Sequence, residues 1–137
     1  MKILGMGEEL HAFRKRIMTL LYEARLVAGM ELPWIKVRIV EYDKPEDSRT
    51  LGKCFIDKNY ITISVELMSW DENDLRHIVW HELGHAYFNA KHDESCPLMH
   101  PLFSRKAKNN PSRDVMADAF RRIAAQSLVV YRAVSCE

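Results

Sequence analysis

Hydrophobic positions in the first part of the chain recur with helical spacing. Between Glu8 and Ala28 apolar residues recur every three or four positions, with one adjacent pair, at Leu10, Phe13, Ile17, Leu20, Leu21, Ala24 and Val27. This spacing predicts an amphipathic helix. Gly29 suits the end of that helix, because glycine readily adopts the left-handed conformation found there. Over residues 35–39 apolar and charged residues then alternate, which predicts a half-buried strand.

The middle of the chain predicts a hairpin followed by a second helix. Leu51–Ile56 and Tyr60–Val65 read as short strands, and the residues 57–59 between them read as a turn. A polar loop at 43–49 precedes this pair. Ser69 and Glu72 stand in the S-x-x-E relation of a capping box, so a helix is expected to begin there and to run to about Asn89.

The last predicted helix begins near Ser112, after an irregular segment at 90–111, and carries Asp114 in its first turn. One face of this helix is expected to comprise Met116, Ala119, Phe120, Ile123, Ser127, Val130 and Tyr131. Strands and helices in this order predict an α+β fold, with a mixed sheet of three or slightly more strands between an N-terminal and a C-terminal helix. At 137 residues the chain has the length of one domain, so 1–137 is expected to be a single domain.

Composition narrows the functional classes. The formal net charge is +1, whereas nucleic-acid-binding domains usually concentrate a basic excess. No apolar stretch has the length of a membrane span or of a signal peptide. The three cysteines, Cys54, Cys96 and Cys136, are far apart in sequence and odd in number, which is typical of reduced thiols. The chain is therefore expected to be cytoplasmic, with neither a nucleic-acid nor a membrane partner.

The predicted second helix contains the run His81-Glu82-Leu83-Gly84-His85. Residues four apart lie on the same helix face, so His81 and His85 can direct nitrogen atoms at one zinc ion. Glu82 stands beside the first ligand, where its carboxylate can take a proton from a metal-activated water. Gly84 leaves its part of the helix without a side chain, which would let backbone or substrate approach closely.

A catalytic zinc ion needs a third protein ligand and an open fourth position. His92 is the leading candidate, provided that the chain reverses after the helix. Asn89 is the expected place, because asparagine tolerates the left-handed conformation that ends helices. Asp93 could hydrogen-bond a ligand histidine or be a solvated loop acid. Asp114 could replace His92 as the third ligand, although an acid in the first turn of a helix is also favoured by the helix dipole.

These residues resemble the metzincin clan of zinc peptidases, in particular its matrixin-like members. The resemblance rests on the HELGH run at 81–85, on His92-Asp93, and on Ser95 with Leu98-Met99-His100-Pro101. It implies a zincin-like domain that binds Zn²⁺ through His81, His85 and His92, with Glu82 as general base and Met99 in a turn beneath the histidines. It also implies that an extended peptide adds to the edge of the sheet. The third histidine stands one residue later than is usual in the clan, and Phe88 replaces the usual glycine.

A second family is also similar. Cytosolic zinc peptidases that cleave phage-type repressors combine HELGH with an acidic ligand in the next helix, and Asp114-Val115-Met116-Ala117-Asp118-Ala119-Phe120 partly matches that pattern. This similarity would make Asp114 the third ligand.

The sequence thus predicts a zinc-dependent endopeptidase acting on a peptide or protein. The alternatives are a non-catalytic zinc scaffold, and a zinc enzyme acting on a cell-wall peptide or an ester. His77, four residues before His81, is expected either to orient it or, in the favoured interpretation, to be exposed. Cys96 is expected to be a buried inert thiol, with a reactive thiol or an inhibitory ligand as alternatives. Three side chains could stabilise an oxyanion: Tyr60, Tyr87 and His100.

Overall fold

The apolar stripe near the N-terminus forms a helix in the computed structural model, which describes residues 2–4, 7–41, 52–55, 60–100 and 111–135. Helix α1 spans Glu8–Ala28, as predicted, and ends at Gly29, whose φ of 66° and ψ of 25° are left-handed. The Gly29 amide donates to the carbonyls of Arg25 and Leu26 and so satisfies the last turn. The buried side of α1 comprises Phe13, Ile17, Leu20, Leu21 and Ala24.

The strands form one mixed sheet. They are β1 (Lys2–Leu4), β2 (Lys36–Glu41), β3 (Gly52–Phe55) and β4 (Tyr60–Ser64), in the spatial order β1-β2-β4-β3. β3 pairs antiparallel with β4, as the hairpin pattern predicted, while β4 pairs parallel with β2. β1 was not predicted, because three residues are too few to show a period. All five residues of β4 are buried.

Helix α2 spans Glu72–Phe88 and begins later than the sequence predicted. The expected capping box of Ser69 and Glu72 is wrong. β4 continues into a 3₁₀ turn over Val65–Ser69, and Ser69 donates its hydroxyl to the Glu66 carbonyl within that turn. Asp71 caps α2 instead, and its carboxylate accepts from the Asp74 amide at 2.8 Å.

Helix α3 spans Arg113–Ser135 and begins where predicted. Its first turns bury Met116, Ala119 and Phe120 against the rest of the core. The predicted loop at 43–49, the turn at 57–59 and the side chains of Cys54, Val130, Tyr131 and Cys136 lie outside the described residues. Within the described part of the chain, no helix combines the length and apolar character needed to cross a membrane. The helices and the four-stranded sheet give an α+β fold, as predicted.

Polar contacts between the helices fix the position of α2. The Trp80 indole donates to the Leu20 carbonyl on α1 at 3.0 Å. Glu23 of α1 accepts from Arg76 of α2 at 3.1 Å and from Arg113 of α3 at 2.7 Å, so one carboxylate joins all three helices. The helix that carries the histidines is therefore held on both sides by packed neighbours, and the side chains it presents have a fixed location.

Candidate metal centre

Helix α2 brings two histidines together on one face. His81 and His85 lie one turn apart, and their ring centroids are 4.7 Å apart at a near-perpendicular angle. His81 is buried and His85 is half-buried. Their Nε2 atoms are 3.1 Å apart. The spacing of four residues therefore brings the Nε2 atoms of His81 and His85 together on one helix face, as the sequence predicted.

The other ring nitrogen of each histidine is bound to the backbone. Nδ1 of His81 lies 2.8 Å from the Leu98 carbonyl, and Nδ1 of His85 lies 2.6 Å from the Ala90 carbonyl. A carbonyl only accepts, so each Nδ1 carries the proton and donates it. Each Nε2 is then left with a lone pair directed at the common centre, which is the tautomer that a metal ligand requires.

Burial keeps these imidazoles neutral. It lowers the pKa of His81 to about 3, an effect that outweighs the hydrogen bond to Leu98 and is reinforced by His85 and His92. Burial also lowers the pKa of His85 below its usual value. Neutral imidazole is the form that binds a metal ion, so protons compete weakly for these two nitrogens at neutral pH.

The chain reversal after α2 returns His92 to the same centre. Asn89 has a φ of 51° and a ψ of 31°, the left-handed conformation predicted for it. Its amide donates to the His85 carbonyl, and the Ala90 amide donates to the Gly84 carbonyl at 3.1 Å. These bonds close the end of the helix. Nε2 of His92 then lies 3.2 Å from Nε2 of His81.

The donor set fits a metal ion. Ligand atoms of His81, His85 and His92 all lie within 4.8 Å of one another, so the group could hold one ion. With zinc–nitrogen bonds of 2.0–2.1 Å, ligands at tetrahedral positions stand about 3.3–3.4 Å apart. The Nε2 atom of His81 lies 3.1 Å from Nε2 of His85 and 3.2 Å from Nε2 of His92, close to that value. Because His81 and His85 both present lone pairs, a shared cation would stabilise a contact that is otherwise repulsive.

The loop from Asp93 to Met99 is closed by hydrogen bonds and packs against the histidine cluster. The Asp93 amide donates to the Met99 carbonyl and the Cys96 amide donates to the Asp93 carbonyl, each at 3.0 Å. The Asp93 carboxylate accepts from the amide and the hydroxyl of Ser95, at 2.9 Å and 2.6 Å. This loop presents the Leu98 carbonyl to His81. It also buries Met99, which is 1% exposed.

Met99 explains the glycine in the motif. A Cβ placed on Gly84 would lie 2.7 Å from Sδ of Met99 and 3.3 Å from its Cε. The expectation that backbone or substrate uses this space is therefore wrong, because a methionine side chain occupies it. Met99 thus packs against the helix turn between the two histidines.

Glu82 lies beside the histidine cluster. Its Oε1 is 3.9 Å from Nε2 of His81, and the residue is only 5% exposed. Burial raises the pKa of Glu82 from its usual 4.5 to about 7. Strand β3 passes close by, since a Cβ on Gly52 would lie 3.1 Å from Cγ of Glu82 and 3.1 Å from the Thr62 carbonyl oxygen. Gly52 therefore leaves the space that the Glu82 side chain fills.

The two acids weighed as alternatives lie elsewhere. Asp93 is exposed and bonded to Ser95, and the carbonyls of Leu98 and Ala90 orient the ligand histidines in its place. Asp114 is exposed at the start of α3, and its carboxylate is 3.8 Å from Arg113. Among the described residues, the group able to hold a metal comprises the three histidines and neither acid.

His77 does not lie where the sequence analysis expected it. His77 is 5% exposed, so the favoured interpretation of an exposed residue is wrong. Burial lowers its pKa to about 4, partly offset by hydrogen bonds to the backbone of Pro97 and Leu98. The sequence could not predict that His77 is buried, because histidine occurs both at protein surfaces and in protein interiors. His100 lies near enough to His77 to lower its pKa further.

Of the remaining candidates, Tyr87 donates its hydroxyl to the Pro33 carbonyl at 2.7 Å, and Tyr60 is buried with the Arg38 guanidinium 4.1 Å from its ring centroid. Cys96 is a half-buried free thiol rather than a fully buried one. It lines a cavity that also borders His92.

Comparison of the chain with protein-family models, with curated proteins and with solved structures finds no match. The function of the chain is therefore inferred from the residues of the site itself.

Proposed function

We propose that this protein is a zinc-dependent peptidase, with His81, His85 and His92 as metal ligands and Glu82 as general base. The observation that carries the proposal is the buried Glu82 carboxylate 3.9 Å from Nε2 of His81, next to three converging imidazoles. A structural zinc site closes its fourth position with another ligand and needs no separate acid. Three nitrogen ligands with a carboxylate held nearby are instead the composition of a hydrolytic centre.

Zinc bound at this centre would supply Lewis acidity, lowering the pKa of a water and polarising a carbonyl. Glu82 takes the proton that the attacking water loses and later donates it to the leaving amine. A carboxylate held next to the metal ligands can serve in both steps, first as the base and then as the acid. The carbonyls of Leu98 and Ala90 hold two of the imidazoles in the productive tautomer throughout.

The zincin-like character of the domain is part of the same proposal. It is supported by the HELGH helix, by the reversal at Asn89 that returns a third histidine, and by a buried methionine packed on the helix between the first two. The extra residue before His92 fits within the loop that follows Asn89. Zinc is proposed over other metals because three imidazoles with an open position suit it well, although imidazole also binds copper, iron and nickel.

The test compares the wild type with Glu82→Gln and with Glu94→Gln, which removes an exposed acid from the nearby loop. Zinc content is measured by mass spectrometry, and hydrolysis by release of fragments from unfolded casein and a peptide library. We expect Glu82→Gln to keep zinc and to lose activity by at least about 100-fold, the scale of general-base catalysis. Glu94→Gln should retain both. Zinc binding without hydrolysis by the wild type would favour the scaffold alternative, and equal hydrolysis in all three would exclude Glu82 as the base.

A further inference from the structure

Helix α2 carries a further buried histidine, one turn before the first candidate ligand. His77 is 5% exposed and stands four residues before His81, so the two imidazoles share one helix face. His77 lies outside the three-histidine group. An imidazole buried without hydrogen bonds is costly, because it loses its contact with water. The role of His77 therefore follows from the groups that it binds.

The partners of His77 are backbone groups of the loop from Asp93 to Met99. Its imidazole forms hydrogen bonds to the backbone of Pro97 and Leu98. Both bonds oppose the effect of burial on the pKa of His77, which shows that the imidazole donates in each. Proline has no N–H, so the carbonyl is the backbone group that can accept at Pro97. The His77 side chain therefore holds two successive residues of the loop.

The same piece of backbone orients a candidate ligand. The Leu98 carbonyl accepts from Nδ1 of His81 at 2.8 Å, and this bond sets the tautomer that leaves Nε2 directed at the shared centre. The bonds donated by the amides of the loop join residues within the loop itself. His77 instead joins the loop to α2, one turn from the histidine that the loop orients.

We infer that His77 is a positioning residue for the metal centre, which holds the backbone of Pro97 and Leu98 where the Leu98 carbonyl meets Nδ1 of His81. The inference rests on the metal-binding part of the proposed function and is independent of Glu82 and of the substrate. Site residues must be held within roughly 0.5 Å and 10–20° of the productive geometry. Partners that orient a ligand histidine typically contribute about 10- to 100-fold in metal affinity or activity. Loss of the His77 bonds therefore weakens metal binding through His81, although His77 is not itself a ligand.

The test measures zinc affinity, by competition with a chromophoric chelator, in the wild type and in four variants. His77→Phe keeps a buried ring but has no N–H to donate. His77→Asn and His77→Gln each keep an amide N–H, at about the place of one or the other ring nitrogen. Val79→Ala is the control for stability, because two helical residues turn through about 200° and Val79 therefore lies on the opposite side of α2. Its side chain is fully buried, so the substitution weakens the core while the His77 bonds remain.

His77→Phe should lose at least about tenfold in zinc affinity. The better of the two amide variants should recover most of this loss, because it restores a donor to the loop. Val79→Ala should keep the zinc affinity of the wild type, although urea unfolding should show it to be less stable. Wild-type affinity in His77→Phe would overturn the inference. An equal loss in His77→Phe and both amide variants, or in Val79→Ala, would also overturn it, because the loss would then reflect packing or stability and not the N–H.

NMR of the zinc-loaded protein with isotope-labelled histidine reads the bond of His81 directly. In the wild type the ring N–H protons of His77 and His81 should exchange slowly with water, unlike that of the exposed His11. In His77→Phe the Nδ1–H of His81 should exchange faster, because the carbonyl that accepts it is held less firmly. Unchanged exchange of this proton would overturn the inference.

The zinc measurements also separate the inference from the proposed function. A wild type that binds no zinc would reject the metal centre and the role of His77 together. Zinc binding and hydrolysis that are both unaffected in His77→Phe would reject the role of His77 alone. Zinc binding that depends on His77 in a wild type without hydrolysis would leave the positioning role standing and reject the peptidase.

Discussion

Replacing the buried Glu82 by glutamine should stabilise the metal-free protein, and more so at higher pH. The carboxyl group is almost completely buried, and burial raises its pKa to about 7. The folded state therefore holds a proton that the unfolded state releases at lower pH. The glutamine side chain would occupy nearly the same volume without an ionisable group, so the pH-dependent part of the difference between the two proteins reports the cost of this one charge.

The direction and size follow from the two pKa values. Between the unfolded value of 4.5 and the folded value of about 7, the folded protein binds more protons, so its stability falls as pH rises. The cost is nearly absent below pH 4.5 and fully present above pH 7. At about 1.4 kcal/mol per pH unit, the cost reaches on the order of 3 kcal/mol at pH 8 and stays below about 1 kcal/mol at pH 5.

Urea unfolding in the presence of a chelator measures this difference. The free energies of unfolding of wild type and Glu82→Gln are compared at pH 5, 6, 7 and 8, with equal slopes against urea as the requirement for comparison. Glu31→Gln serves as the control, because Glu31 is exposed, and it should change stability by less than about 0.5 kcal/mol throughout. A Glu82→Gln effect that is the same at pH 5 and pH 8 would refute the assignment of a buried carboxyl group at this position.

Three further predictions concern packing around the site. Gly84→Ala should destabilise the protein by about 1–2 kcal/mol, because the new Cβ clashes with Met99. In a Met99→Ala background the same substitution should be neutral or stabilising, because only the helix preference for alanine remains. A double-mutant cycle by urea unfolding measures the difference, and additive effects would argue against the contact. Gly52→Ala should reduce hydrolysis at least about tenfold with zinc content unchanged, because the alanine Cβ, held against the Thr62 carbonyl, displaces the Glu82 side chain. Unaltered activity would contradict that packing. Glu23→Ala should lower the free energy of unfolding by about 2–4 kcal/mol, because Arg76 and Arg113 lose their shared partner and Arg76 is nearly buried. A loss below about 0.5 kcal/mol in thermal or urea unfolding would show that both ion pairs are solvated.

Local sequence patterns sufficed for most of the elements but not for their assembly. The period of α1 and its end at Gly29 are set by residues close in sequence, and so is the termination of α2 at Asn89. The parallel pairing of β2 with β4 depends on strands that are distant in sequence, and no local period encodes a partner. The start of α2 was mispredicted because Ser69 and Asp71 are both good caps, and the 3₁₀ turn that uses Ser69 decides between them.

In the candidate site, too, the features set by nearby residues could be predicted and those set by distant residues could not. The spacing of His81 and His85 and the reversal before His92 follow from helix geometry and from the conformational preference of asparagine. The groups that orient the imidazoles are backbone carbonyls of Leu98 and Ala90, which every residue possesses and which no sequence pattern marks. The contact between Gly84 and Met99 could have been suspected from a glycine inside a helix, which is costly unless something packs against it.

The most direct test of the metal centre is zinc stoichiometry combined with X-ray absorption at the zinc edge, on the wild type, His92→Ala and Asp114→Ala. The wild type and Asp114→Ala should each hold about one zinc per chain with three imidazole nitrogens at about 2.0–2.1 Å. His92→Ala should lose at least about tenfold in zinc affinity and one nitrogen from the shell. Equal zinc affinity and coordination in His92→Ala and wild type, or loss of zinc in Asp114→Ala, would contradict the three-histidine site.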